Sequence, residues 1–476
     1  MRTRHEILKT EKIDAAAALI RERLPESKAG IAERFLRQFY DNVAPHDLVG
    51  EEAEDLFGAA ITIWAFGRER AAGTPKVRAY NPRFEEVGWQ STHTVIEIVN
   101  DDMPFLVDSV TAALNRMDLT VHLVIHPILR VTRDGKGVAK GLAESETADK
   151  AAVAESFMHL QVSEQTSAGA LAEIETTLLA VLSDVRASVE DWRVMRQTML
   201  DVIAGVEKAP PSTMSSDDVA EVCAFLRWLE DNHYTFLGYR RYDYVGTGTK
   251  AHMQVVEGTG LGILRSPEVQ VFDGMRELGA LPPEVREFLL SPTLLLIMKA
   301  NRASTVHRPV PLDSITVKII EKGKVVGEHR FLGLFTSVAY NQRPKEIPLL
   351  RQRVDKLLER AGFRPASHDG KALLNILETF PRDELFQASE DELFDIAIGV
   401  LHLQERQKTA VFVRRDAFER FVSALVYVPR DHYNTQLRLV FQSILERTFN
   451  GQTTAFYTQM SESVLARLHF IVSTTR

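Results

Sequence analysis

The chain is almost without cysteine. Cys223 is the only one in 476 residues, which excludes an intrachain disulfide and any zinc cluster built on cysteine. It stands in Val222-Cys223-Ala224-Phe225, on an apolar helical stripe, the setting of a buried structural thiol rather than of a nucleophile. Long apolar runs are missing as well. None approaches the ~20 residues that a membrane-spanning helix needs, and the opening MRTRHEILKTEKID lacks the apolar core of a signal peptide. Positive charge is not in excess: 57 Lys and Arg against 65 Asp and Glu give a net charge of -8. Nucleic acid is thereby disfavoured as a partner, since phosphate binding needs a concentrated basic face. The basic pairs Arg240-Arg241 and Arg414-Arg415 are flanked by acids or aromatics and read as solvated faces. A reducing cytoplasm, without membrane or nucleic acid, is the expected setting.

Sequence signatures of catalysis are scarce too. There is no Gly-x-Ser-x-Gly elbow, no Walker loop and no helical His-Glu-x-x-His. Gly258, Gly260 and Gly262 invite a nucleotide-loop reading, but they lead into Ile263-Leu264-Arg265-Ser266-Pro267. That proline blocks the helix a dinucleotide fingerprint must open, so turn or β-bulge glycines are expected. His122 and His126 are four apart with no acid beside them and Pro127 directly after; they read as ordinary sheet histidines, not metal ligands. No residue is assigned as catalytic, cofactor-binding or metal-binding.

What is present is alternating architecture. A length of 476 residues divides into several cores, and the patterning predicts an α+β, multidomain chain. Residues 1–80 read as a helical segment, with Ala16, Ile20 and Leu24, then Ile31, Phe35, Phe39 and Tyr40, at three- and four-residue spacing. Residues 86–194 follow a β-α-β-β-α order that suits a ferredoxin-like unit. Val95–Val99 is its first strand, Phe105–Met117 its first helix, Thr120–Thr132 one long second strand, and Met158–Val162 its third. Ala187–Val194 is a poor candidate for the fourth and reads equally as helix. Residues 195–216 are expected as a linker and 217–340 as a mixed, strand-rich domain with a hairpin at Glu321-Lys322-Gly323-Lys324. Residues 341–407 form a helical connector. Residues 408–476 then begin a second ferredoxin-like unit, with strands at Phe421–Val428, Thr453–Met460 and Leu465–Ser473 and a helix at Thr435–Phe449. It is expected to be truncated, short of one helix and one strand.

The turn Asn100-Asp101-Asp102-Met103-Pro104-Phe105-Leu106 joins the first strand to the first helix. A helix start leaves backbone N–H groups unpaired, and these can hold an anion or carboxylate. Asp101 or Asp102 could instead cap the helix, and Pro104 suits a position near its first turn. Spacing alone leaves the plain cap and the ligand site both open.

The run Ile98-Val99-Asn100-Asp101-Asp102-Met103-Pro104-Phe105-Leu106-Val107-Asp108-Ser109-Val110 resembles the first ACT-like domain of the large bacterial NAD-specific glutamate dehydrogenases. Phe236–Arg240 and Gly327–Phe335 look like that family's segments between its first two ACT-like domains. Arg414–Asp416 through Tyr427–Asp431 is similar to the start of the second. The resemblance covers nearly the whole chain in the same order. It implies two ACT-type units (86–194 and 408–476), a PAS-like domain (217–340), and NAD as cofactor of a parent enzyme that oxidises L-glutamate to 2-oxoglutarate and ammonia. It implies further that this chain is a non-catalytic N-terminal regulatory segment, that its partners are its own catalytic domain and further copies of itself, and that Asn100 to Leu106 receive an amino-acid effector. ACT domains elsewhere often carry Asp-x-Pro-Gly at this turn. Here Asp102-Met103-Pro104 matches, but Phe105 replaces the glycine that lets a ligand approach the backbone.

Overall fold

A computed structural model describes residues 3–143, 151–270, 277–403, 406–418, 420–460 and 463–474. It divides into two compact units, the first made of residues 1–190 and 303–310, the second of 191–302 and 311–476.

The first unit opens with four helices, α1 (Arg4–Arg23), α2 (Glu26–Asp41), α3 (Pro45–Val49) and α4 (Ala53–Gly67). Ala16, Ile20, Phe35, Phe39 and Ile63 are buried on their inner faces, the spacing that predicts helix. They share a core with Val131 and Phe157 of the sheet. The sheet follows: β1 (Lys76–Tyr80), a short α5 (Phe84–Val87), β2 (Thr94–Asp101), α6 (Leu106–Arg116), β3 (Val121–Ile125), β4 (Ile128–Arg133), β5 (Ala139–Ala143) and β6 (Val153–Val162), then α7 (Ala168–Lys208). Its order is β1-β2-β6-β4-β5, with β3 also on β6.

Three sequence expectations change here. The single strand Thr120–Thr132 is two, broken at His126-Pro127, because proline has no N–H to give the ladder; the Phe157 N–H still reaches the Pro127 carbonyl at 3.1 Å. Ala187–Val194 takes its helical alternative, and the expected linker 195–216 is helical as far as Lys208. Met195, Met199, Val202 and Ile203 are buried at helical spacing, so the apolar stripe carries the helix onward. The place beside β2 that a fourth ferredoxin-like strand would take is filled from upstream, by β1, antiparallel with Ala79 opposite Ile96.

In the second unit the Ser215 hydroxyl caps α8 (Ser216–Trp228) by accepting from the Asp218 N–H at 3.1 Å. An antiparallel sheet is built from β7 (Tyr234–Val245), β8 (His252–Val255), β9 (Leu261–Gly262), β10 (Leu295–Ala303), β11 (Pro311–Glu321) and β12 (Lys324–Phe335), with α9 (Pro283–Leu290) ahead of β10. Its order is β10-β11-β12-β7-β8, with β9 on β7. The β11–β12 hairpin turns through Lys322 (φ 51°) and Gly323 (φ 76°), two left-handed residues in a row as a tight hairpin requires. Gly262 (φ 58°) is a strand-edge glycine: a Cβ there would lie 2.1 Å from the Leu237 carbonyl oxygen.

Helices α10 (Ser337–Asn341), α11 (Leu350–Ala361), α12 (His368–Thr379), α13 (Arg382–Gln387) and α14 (Glu390–Leu401) form the connector. After it come β13 (Ala410–Arg415), β14 (Phe421–Pro429), α15 (Thr435–Phe449), β15 (Gly451–Gln459) and β16 (Leu465–Thr474), in the sheet order β13-β14-β16-β15. The strand judged missing from this second ferredoxin-like unit is therefore present, again upstream, as β13. The four-stranded order β13-β14-β16-β15 matches the β1-β2-β6-β4 part of the first sheet, which carries β3 and β5 besides.

Two of the basic residues read as solvated are not. Arg240 is fully buried and holds the loop that follows β9, donating to the carbonyls of Leu264 at 2.7 Å and Val269 at 3.0 Å. Arg414 is buried in a two-pronged pair with Glu384, at 2.7 and 2.9 Å. Arginine's planar fork satisfies such interior acceptors where lysine could not.

Candidate functional site

The turn from β2 into α6 lies in the first unit, and its residues divide into two groups. Asn100 and Asp101 close β2 and are tied into a charged network. Asn100 is fully buried, and its side-chain oxygen accepts from Arg186 at 2.7 Å. Its amide nitrogen Nδ2 has no hydrogen-bond partner among the described residues. The Asp101 carboxylate meets Arg70 at 2.6 Å and Arg186 at 2.8 Å, and accepts from the Gly73 N–H at 3.1 Å. Arg70, with its side chain 1% exposed, also pairs with the buried Glu155 at 2.9 Å, and Arg133 pairs with Glu155 at 2.6 Å. Burial pushes the Asp101 carboxyl upward, but the hydrogen bonds and charges of Arg70 and Arg186 outweigh it and hold it below its ordinary value. Asp101 is thus a fixed anion at the end of the strand. Neither it nor Asp102 caps the helix: the N-cap is Phe105, without a side-chain cap bond.

The second group forms the bend. The Asp102 N–H donates to the Ala154 carbonyl at 3.0 Å and extends the ladder by one bond. Asp102 and Met103 are half-buried, Pro104 is exposed and Leu106 is buried. Phe105 adopts φ 72° and ψ 1°, the left-handed conformation that glycine takes without strain. The backbone thus keeps a glycine's shape with a phenylalanine on it. Over that ring lies His307, with ring centroids 5.0 Å apart. The segment 303–310 belongs to this unit and is pinned at the helix start. The His307 N–H donates to the Ser109 hydroxyl oxygen at 2.9 Å, and its ring nitrogen Nδ1 lies 3.0 Å from Asp108. Ser109 in turn donates to the Phe105 carbonyl at 2.6 Å, and Thr305 donates to Asp184 at 2.7 Å.

Sequence reasoning named the turn but not Arg70, Arg186, Ser109 or His307. The arginines lie 31 and 85 positions from Asp101, and His307 lies 202 from Phe105, so no spacing rule could join them. The one local signal was Phe105 itself, a bulky residue where a glycine conformation is needed. His122 lies on β3 with its ring on that of His93 at 4.3 Å, while His126 is not a strand residue but sits in the break between β3 and β4, 2.6 Å from the Ser156 hydroxyl. Among the described residues no cluster of three or more His, Cys, Asp or Glu could hold a metal ion. No helix there is long and apolar enough to cross a membrane.

Family models match three stretches of the chain: the glutamate dehydrogenase ACT1 domain over residues 35–178, helical motif 1 over 347–406, and the ACT2 domain over 410–476. Over these stretches the chain is similar to glutamate dehydrogenase ACT domains and to the helical motif between them. The ACT1 match takes in α2 through β6 and part of α7, and the ACT2 match is the β13–β16 sheet with α15. The whole chain is also similar to NAD-specific glutamate dehydrogenases. It is 38% identical to that of Halomonas elongata over 95% of the chain, 36% identical to that of Pseudomonas aeruginosa over 92%, and 32% identical to that of Mycobacterium tuberculosis over 86%. It spans 28%, 27% and 24% of the length of these relatives.

Proposed function

We propose that this chain is a non-catalytic regulatory and assembly segment of an NAD-dependent glutamate dehydrogenase. The parent reaction takes L-glutamate, NAD and water to 2-oxoglutarate, ammonia and NADH, and no residue of this chain is assigned to NAD. The observation that carries the reading is the succession of ACT1, helical motif 1 and ACT2 along one chain that aligns over 95% of its residues with an NAD-specific glutamate dehydrogenase. Residues 217–340, an antiparallel sheet with a leading helix, stand in this reading as a PAS-like domain, and the cytoplasm as the compartment.

Control is allosteric, with an amino acid as effector at Asn100–Leu106. The unpaired, buried Asn100 amide supports this, because a donor without an acceptor is costly unless something arrives to accept from it. The effector competes with His307 for the face of the bend. It thereby biases segment 303–310, which is continuous in the chain with β10 and β11, and an effector acts only through such a difference between two arrangements. Calorimetric titration of the chain with the common amino acids tests it: one of them gives heat, and Asn100→Asp or Asp101→Asn diminishes that heat.

A second reading, a purely structural scaffold, draws on a different observation. Leu439, Val440 and Ile444 on α15 are 44–50% exposed, as are Phe456 and Tyr457 on the edge strand β15. An edge strand that exposes two aromatic rings and has no lysine or proline is ready to pair with another chain. Sedimentation velocity separates the readings, since a scaffold gives a homo-oligomer whose mass no amino acid changes.

A further inference from the structure

The second unit contains a cavity of about 790 Å³, within the range of roughly 300–1,000 Å³ typical of small-molecule sites. Its walls mix apolar side chains, Leu295, Ile297, Leu350 and Phe386 among them, with polar and charged ones. Five basic residues and four acids, Asp218, Glu390, Glu392 and Asp416, also line it, and of the basic ones Lys318 and Arg353 are held by main-chain carbonyls. Lys318, on β11, is 3% exposed, and its ammonium donates to the Ser291 carbonyl at 2.8 Å and the Phe288 carbonyl at 3.4 Å. Arg353, on α11, donates to the carbonyls of Leu385 at 2.6 Å and Ala388 at 2.9 Å. Among the described residues both are held by main-chain carbonyls, without a carboxylate in direct contact.

That is an unusual way to keep two charges inside a fold. A carbonyl dipole offsets part of the lost hydration, and a counter-anion offsets far more. Buried pairs in this unit show the ordinary solution: Arg414, itself on the cavity wall, meets Glu384, and Lys299 meets Asp313. The strain shows in Lys318: burial pushes its ammonium down to about 8, and the charge of Glu328 recovers only part of the loss. Burial likewise lowers Arg353, against the charge of Glu390. The acids of the lining are engaged by other groups, Asp218 by Ser215, Glu390 by Lys356, Glu392 by Ser389 and Asp416 by Arg420. An added anion is therefore what Lys318 and Arg353 lack, and the apolar part of the wall fits one with a carbon skeleton.

We propose that this cavity binds a small carboxylate-bearing metabolite, with Lys318 and Arg353 as its charge partners and Leu295, Ile297, Leu350 and Phe386 around its carbon chain. A guanidinium prefers the planar carboxylate geometry, which favours an organic acid over inorganic phosphate. The site is separate from the Asn100–Leu106 turn, and the inference uses no property of a dehydrogenase, so it stands or falls independently of that assignment.

The test is calorimetric titration of the 476-residue chain with succinate and 2-oxoglutarate, with uncharged succinamide and inorganic phosphate as controls. One or both acids bind, succinamide does not, and phosphate is weaker by about tenfold. Lys318→Met, which keeps the length of the side chain and removes its charge, weakens the acid by about tenfold or more with the thermal transition retained. Thr293→Trp, at an exposed position on the cavity wall, weakens it similarly by filling the space, and keeps the test open should Lys318→Met not fold. Absence of heat with both acids at about 10 mM, affinity unchanged in both variants, or phosphate or succinamide binding as tightly as the acids would each overturn the proposal.

Discussion

Replacing Phe105 by glycine and by alanine should reverse the usual order of those two residues. Next to a helix, glycine is ordinarily the less stable by roughly 0.5–1 kcal/mol because it loses more backbone freedom on folding. At φ 72° the sign changes, since any residue with a Cβ carries a left-handed penalty of about 1–2 kcal/mol. Alanine keeps that penalty and glycine removes it, so glycine emerges ahead by up to about 1 kcal/mol. Both lose the half-buried ring, roughly half of the 1.5–3 kcal/mol of full burial, and its contact with His307, about 0.5–1 kcal/mol. Phe105→Ala therefore costs about 2 kcal/mol and Phe105→Gly about 1. The chain has more than one compact unit, so a single unfolding free energy is not well defined. Amide hydrogen exchange in Leu106–Arg116 reads the local effect instead. The expected order of protection is wild type, then glycine, then alanine. Alanine more protected than glycine would refute the argument that the turn keeps a glycine's backbone.

Three further outcomes follow from other parts of the molecule. Arg70→Met leaves Asp101 to Arg186 and Glu155 to Arg133, and losing one member of a buried pair costs about 3 kcal/mol; circular dichroism should show an earlier urea transition. Burial, and then the Arg241 charge, pushes His329 from 6.5 down to about 4. The unfolded chain therefore holds an extra proton between those pH values, and about 3 kcal/mol of stability present above pH 6.5 is lost as the pH falls to 4; His329→Gln should flatten that part of the profile in denaturation at pH 7.5, 5.5 and 4.5. Gly262→Ala places a Cβ 2.1 Å from the Leu237 carbonyl oxygen at φ 58° and should cost more than about 1 kcal/mol, seen as an earlier transition that a neighbouring exposed control, Gly258→Ala, shares only in part.

The helices of residues 4–67, the core strand Thr94–Asp101 and the hairpin at Lys322-Gly323 were legible because local periodicity and turn chemistry decide them. What escaped was decided at a distance. Lys76–Tyr80 and Ala410–Arg415 are short strands whose place is fixed by pairing with β2 and β14 rather than by their own pattern; each completes a sheet from upstream, which is why a strand was sought downstream of both. Arg240 and Arg414 looked like surface charge because their acceptors, the Leu264–Val269 carbonyls and Glu384, come from other elements. The same holds at the turn. Asn100 to Leu106 could be named from the sequence, while Arg70, Arg186 and His307 arrive only through folding.

The regulatory reading is tested most directly by calorimetry on the intact chain with the common amino acids, alongside a His307→Ala variant. His307 occupies the face of the bend, so the account predicts heat from at least one amino acid, with tighter binding once that ring is removed. No heat from any of them, in either protein, would contradict it.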